Sequence, residues 1–188
     1  KKYLADYAYL LGIAGLIILF DQLTKGWVRS TLTIGEVYRP ELWLSRYVRI
    51  LHWHNTGAAF GTFQGMGNVF AALSFFVSAA ILIYFPQVPR REWLLRLAMA
   101  LQLGGAVGNL IDRLTIGHVT DFVSVGNFPV FNVADASIST GVAVLILGMW
   151  LNERRLKKEA AEAAAAAKPP AEDAATNPPL ESAMPSEE

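Results

Sequence analysis

The 188-residue chain contains no cysteine. That single absence excludes disulfides, thiol nucleophiles and thiolate metal sites. Histidine is scarce, with three in all. His52 and His54 alternate on one face of an expected strand and His118 lies far away, and no HExxH spacing is present. A zinc site is therefore not expected. No serine stands in a nucleophile motif, and Thr24-Lys25 is not a Ser–Lys arrangement. Net charge is zero. No basic face or tail of the kind that binds nucleic acid is present, so that class is discarded.

What is abundant is apolar sequence, at 53% of residues. It comes in long blocks. Four segments approach the ~20 residues needed to cross a hydrocarbon core: Tyr7–Trp27, Asn68–Phe85, Trp93–Ile111 and Val133–Leu151. The first is not expected to be a cleavable signal peptide. It has no small-residue cleavage site, and Asp21 and Lys25 close it. Lys1, Lys2, Arg90, Arg91, Arg154, Arg155, Lys157 and Lys158 outnumber Lys25, Arg29, Arg39, Arg46, Arg49 and Arg113 on the other side. Both termini are accordingly expected in the cytoplasm.

The connection at 28–67 reads as a small sheet or cradle on the outer membrane surface. Trp43, Tyr47, Val48, Ile50, Leu51 and Trp53 are strand-type residues, broken by Pro40, Gly57, Gly61, Gly65 and Gly67. A second β-prone stretch, Val119–Val125, faces Phe128–Phe131 across the turn pair Gly126-Asn127, and Pro129 limits that pairing. The fold class expected is an all-α integral membrane protein of four transmembrane helices with a small β-cradle. The four-helix body is expected at residues 1–151. Residues 152–168 extend a helix, and 169–188, rich in Pro, Ala, Glu and Ser, are expected to be disordered.

Four aspartates stand in or against the apolar blocks: Asp21, Asp112, Asp121 and Asp135. A carboxylate at membrane depth is costly, so it normally serves chemistry or ion movement. Ala100, Gly104, Gly108 and Asp112 recur every four residues on one helix face, with Gly105, Asn109 and Arg113 beside them. The glycines fit close helix packing. Asn109, Asp112 and Arg113 imply a polar pocket at the end of the bundle. Asn132 and Asp135 fit an N-terminal cap, but Asn132, Asp135 and Ser139 on one face are more polarity than a cap needs. A reversal at Gly126-Asn127 sets position 121 opposite about 132. Asp135 is then one helical turn, ~4.5 Å, further on. Asp121 and Asp135 can meet around one water, one as base and one as acid. They can equally be two unrelated interfacial aspartates. Asp21 and Lys25, at i and i+4, form an ion pair.

Five motifs occur in order: Asp21-Gln-Leu-Thr-Lys25, Asn55-Thr-Gly57-Ala-Ala-Phe60, Gly104-Gly105-Ala-Val-Gly108-Asn109-Leu-Ile-Asp112-Arg113, Val119-Thr-Asp121-Phe122 and Phe131-Asn132-Val-Ala-Asp135. Together they closely resemble bacterial lipoprotein signal peptidase, signal peptidase II, over roughly residues 7–151. The resemblance implies an inner-membrane aspartyl endopeptidase that needs no cofactor. Such an enzyme cuts the signal peptide from a diacylglyceryl-modified prolipoprotein, just before the lipidated cysteine. It implies Asp121 and Asp135 as the catalytic pair and Asn109, Arg113 and Asn132 as site-lining residues. Asp21, Lys25, Asn55 and Gly57 fall on supporting or substrate-contact positions. Membrane lipid is an expected partner and globomycin an expected inhibitor. The competing class is a small proton- or cation-coupled carrier. Against it, the acids cluster at the ends of the spans, not at the midplane.

Overall fold

The computed structural model describes residues 2–39, 47–57 and 62–166. The strand-type Trp43, the Ala58-Ala59-Phe60 part of the second motif and the tail 169–188 lie outside the described residues. Helix α1 runs Lys2–Thr31, α2 Gly67–Tyr84, α3 Trp93–Ile116 and α4 Val133–Ala166. All four are long and apolar enough to cross a membrane. The strands are β1, Val37–Tyr38, β2, Val48–Asn55, and β3, Val119–Val125. They form one antiparallel sheet in the order β1-β2-β3.

Local chemistry sets the ends of these elements. A 3-10 turn at Phe85–Gln87, carrying Pro86, closes α2. Helix α3 ends at Gly117, whose φ of 80° is the left-handed cap that glycine adopts without strain. Helix α4 starts on a reciprocal cap. Asn132 Oδ1 accepts the Asp135 N–H at 2.9 Å, and Asp135 Oδ2 accepts the Asn132 N–H at 3.2 Å.

Helix α3 is the centre. Over half of its most apolar window is buried inside the protein, against 17% or less for the other three helices. Large side chains of those helices, such as Leu16, Phe76 and Ile146, are exposed, as lipid-facing residues are. The glycines of α3 set the spacing. A Cβ on Gly104 would strike Ile17 of α1, and one on Gly105 would strike the Ala134 carbonyl of α4. Leu10 and Ala14 pack with Ile81, Phe85, Met99 and Leu103 in one core cluster. At that end Asp6 is buried against Arg96, 2.7 Å away, and Arg90, 3.0 Å away. Sequence reasoning passed over this cluster. Its signal was an arginine inside an apolar span.

The sheet departs from expectation in two ways. The cradle and the Val119–Val125 stretch are not separate, because β2 pairs with β3 over Val48↔Val125 to Asn55↔Val119, with a bulge between Ile50 and Trp53. The expected second arm, Phe128–Phe131, reduces to a single bridge, Val123↔Phe131. Pro129 lacks the N–H needed for more. Val28 of α1 and Leu32, just past its end, pack on Phe122, which seats the sheet on the end of that helix.

The chain divides into two compact units, Lys1–Trp150 and Leu151–Glu188. Within the second, the helix carries i, i+4 pairs such as Glu153–Lys157 at 2.6 Å.

Candidate active site

The site begins with a buried ion cluster. Lys25 is wholly buried. Its Nζ lies 2.8 Å from Asp21 Oδ2, 3.3 Å from Asp112 Oδ2 and 2.9 Å from Asn109 Oδ1. An ammonium has three N–H donors, and here each has an acceptor. Asp112 Oδ1 also meets Arg29 Nη1 at 3.2 Å, and its Oδ2 accepts the Thr120 N–H at 3.0 Å. Gln22 Nε2 donates to the Gly108 carbonyl at 3.1 Å and to Asp112 Oδ1 at 3.3 Å. Buried charges are tolerated when paired this completely. The cluster ties α1 to α3 and holds β3 at the residue before Asp121.

Asp121 and Asp135 come together around Asn132. Asn132 Nδ2 donates to Asp121 Oδ1 at 2.7 Å, while the cap binds the Asn132 N–H to Asp135 Oδ2. The second oxygen of each acid has its own donor. Asn55 Nδ2 reaches Asp121 Oδ2 at 2.9 Å, and Asn109 Nδ2 reaches Asp135 Oδ1 at 2.7 Å. Asn55 arrives on β2, through the long-range pairing with β3. Its Oδ1 also accepts the Gly57 N–H at 2.9 Å. A Cβ on Gly57 would collide with the Thr62 carbonyl, so the turn admits only glycine. Burial first, and the neighbouring charge of Asp135 second, push the Asp121 carboxyl from 3.8 up to about 7, against the opposing pull of Asn55, Asn132 and Lys25.

A groove of about 710 Å³ opens beside this pair. Leu73, Val77, Ala106 and Ile138 of α2, α3 and α4 make its apolar walls, and Asn55, Asn109, Arg113 and Asp135 its polar end. The Arg113 guanidinium sits 5.5 Å from the Phe70 ring centre, and its Nε has no hydrogen-bond partner among the described residues. Asp121 is 1% exposed and lies just behind the wall. Asp21 and Lys25 do not line the groove; they stand behind Asn109. Sequence reasoning missed Gln22 and Arg29. They share a face of α1 with Lys25, at i−3 and i+4, and that spacing was the available signal.

The histidines gather elsewhere on the sheet. The His54 and His118 rings are 3.7 Å apart, and His52 Nδ1 donates to the Leu32 carbonyl at 2.7 Å. Burial, then the nearby His118 and His52, hold the His54 imidazole below its usual range. Among the described residues no three His, Asp or Glu side chains are placed to hold a metal ion.

Four apolar spans around an apolar groove with a carboxylate-bearing end define the class of membrane-embedded enzyme. The comparisons name the family within it. The signal peptidase (SPase) II profile matches residues 13–151. A lipoprotein signal peptidase of Halalkalibacterium halodurans is 39% identical over 151 residues, 78% of this chain and 95% of that protein. One from Dehalococcoides mccartyi is 41% identical over 140 residues, 69% of this chain and 81% of that one. A solved bacterial membrane enzyme, determined by the in meso method at 2.3 Å, superposes with a TM-score of 0.71 at 30% identity, covering 77% of this chain and 88% of the other. The chain belongs to the signal peptidase II family, whose members are aspartic peptidases.

Proposed function

We propose that the chain is an intramembrane aspartyl endopeptidase acting on diacylglyceryl-modified prolipoproteins, with Asp121 and Asp135 as its catalytic pair. The observation that carries the reading is the pair itself. Two carboxylates are tied to one asparagine, Asp135 at the polar end of an apolar groove and Asp121 just behind it. An apolar signal segment and acyl chains suit the walls. The scissile amide, just before the lipidated cysteine, then lies at the polar end, where Asn55, Asn109 and Arg113 can hold its carbonyls.

The chemistry needs one base and one acid. Asp135 accepts N–H bonds on both oxygens and takes a proton from water as the water oxygen attacks the carbonyl carbon. Asp121, whose proton is retained up to about pH 7, gives that proton to the carbonyl oxygen. Collapse of the tetrahedral intermediate breaks the C–N bond. Asp135 returns its proton to the leaving nitrogen, and Asp121 recovers the one on the hydroxyl. The sheet and dyad sit on the outer face of the inner membrane, with both termini in the cytoplasm, as the distribution of Lys and Arg favours. Globomycin-type inhibitors occupy the same groove.

The test is cleavage of a synthetic diacylglyceryl peptide by the purified protein in detergent, with product masses giving the cut. Cleavage before the lipidated cysteine, and none of the unlipidated peptide, is expected. An ion-coupled carrier, which has no gradient in detergent, would leave both peptides intact.

A further inference from the structure

We infer that Lys25 is a positioning residue of the aspartate pair, acting through the side-chain amide of Asn109. The inference rests on the aspartyl reading and adds a device that governs it from behind the groove.

The argument is one of donors and acceptors. Asn109 Oδ1 has two lone pairs. Lys25 Nζ takes one at 2.9 Å and Asn132 Nδ2 the other at 3.1 Å. The opposite end of the amide, Nδ2, therefore faces Asp135 Oδ1 at 2.7 Å. A flipped amide would set N–H against the Lys25 ammonium and against the Asn132 amide, and oxygen against a carboxylate oxygen. Lysine has no acceptor and cannot accommodate the flip. Asn132 is fixed in turn. With one N–H on Asn109, its other reaches Asp121 Oδ1. One buried ammonium thus sets the orientation of two of the three amides that grip the acids, Asn109 and Asn132, while Asn55 reaches Asp121 independently from β2.

Lys25 is itself immobile. Asp21 from α1 and Asp112 from α3 hold its other two protons. Among the described residues, the other cations facing these acids are Arg29, paired with Asp112, and Arg113, within electrostatic reach of Asp112, Asp121 and Asp135. Lys25 is wholly buried and does not line the groove, so it acts on the pair through its neighbours. Its charge also favours the ionised form of Asp121.

The test uses Lys25→Met, Asn109→Ala and the double variant in the lipopeptide assay, each per folded molecule. Lys25→Met should lower kcat by about 10- to 100-fold, the range for residues that orient a catalytic shell, and leave KM within a few-fold. The alkaline limb of the pH–rate profile should move up by about half to one unit as a nearby cation is lost. The double variant should be no slower than Asn109→Ala, because both act on one amide. Should Lys25→Met fail to fold, Lys25→Met/Asp112→Asn removes one charge of each sign from the cluster and answers the same question. A wild-type kcat and limb position in a folded Lys25 variant would overturn the inference. So would losses that multiply in the double variant, or failure of both Lys25 variants to fold, which would make the lysine a structural pillar only. If Asp121→Asn is inactive while Lys25→Met is normal, this inference alone falls. If Asp121→Asn turns over, the aspartyl reading falls with it.

Discussion

Asp21 Oδ1 accepts the backbone N–H of Ala134 at 2.9 Å, across 113 positions of sequence. A carboxylate on the first span therefore completes the cap of the last one, one residue before Asp135. Its other oxygen holds Lys25. The two bonds give Asp21 a structural job distinct from chemistry. Asp21→Ala should cost about 3–5 kcal/mol, as breaking one half of a buried ion pair does. Asp21→Asn keeps an acceptor for Ala134 and should be milder, with measurable turnover per folded molecule. Thermal unfolding in detergent and the lipopeptide assay check both. A fully folded Asp21→Asn with no turnover at all would move the chemistry to this residue.

Helix spacing gives a second prediction. Gly105→Ala places a methyl against the Ala134 carbonyl and Ile138, in the turn that carries Asp135. It should destabilise by about 1–3 kcal/mol and depress turnover, since overpacking shifts backbone. Gly12→Ala meets nothing within 4 Å. It should be neutral or stabilising by up to about 1 kcal/mol. Equal effects at the two positions would refute the close α3–α4 approach as the reason for Gly105.

The raised Asp121 carboxyl makes a prediction about stability and pH. Folding moves it from 3.8 to about 7. The folded state therefore holds a proton that the unfolded chain has released. The stability from this group is complete below about pH 4 and is lost as pH rises through 7. Asp121→Asn has no such proton. Its unfolding midpoint should gain on wild type between pH 4 and 7 and keep a constant lead above 8. A lead that shrinks as pH rises would give the shift the opposite sign.

The sequence made the helices legible because each is a long apolar run. It made the pairing of Asp121 with Asp135 legible because both flank one short reversal at Gly126-Asn127. Asn55 was harder. It reaches Asp121 only through the pairing of β2 with β3, some 66 positions apart in the chain, and no local pattern announces such a partner. The network behind the pair was half visible. Asp21 and Lys25 follow from i, i+4 spacing. That Lys25 also holds Asp112 and Asn109 depends on how α1 crosses α3, which the glycines permit but do not specify. Capping and proximity to the groove, set against each other in the sequence, coexist in Asp135, which caps the helix and lines the groove. Asn132 caps the helix and grips Asp121, but it is fully buried and does not line the groove.

The central claim is that Asp121 and Asp135 act as one unit. Its most direct measurement is turnover of the diacylglyceryl peptide by Asp121→Asn, Asp135→Asn and the double variant, with binding of the uncleaved peptide followed in parallel. Asparagine keeps the size and polarity of each side chain but cannot exchange the proton. The account predicts no detectable cleavage by either single variant, near-normal binding by both, and a double variant no worse than either, as for residues that share one step. Near-normal cleavage by Asp121→Asn or by Asp135→Asn would contradict it.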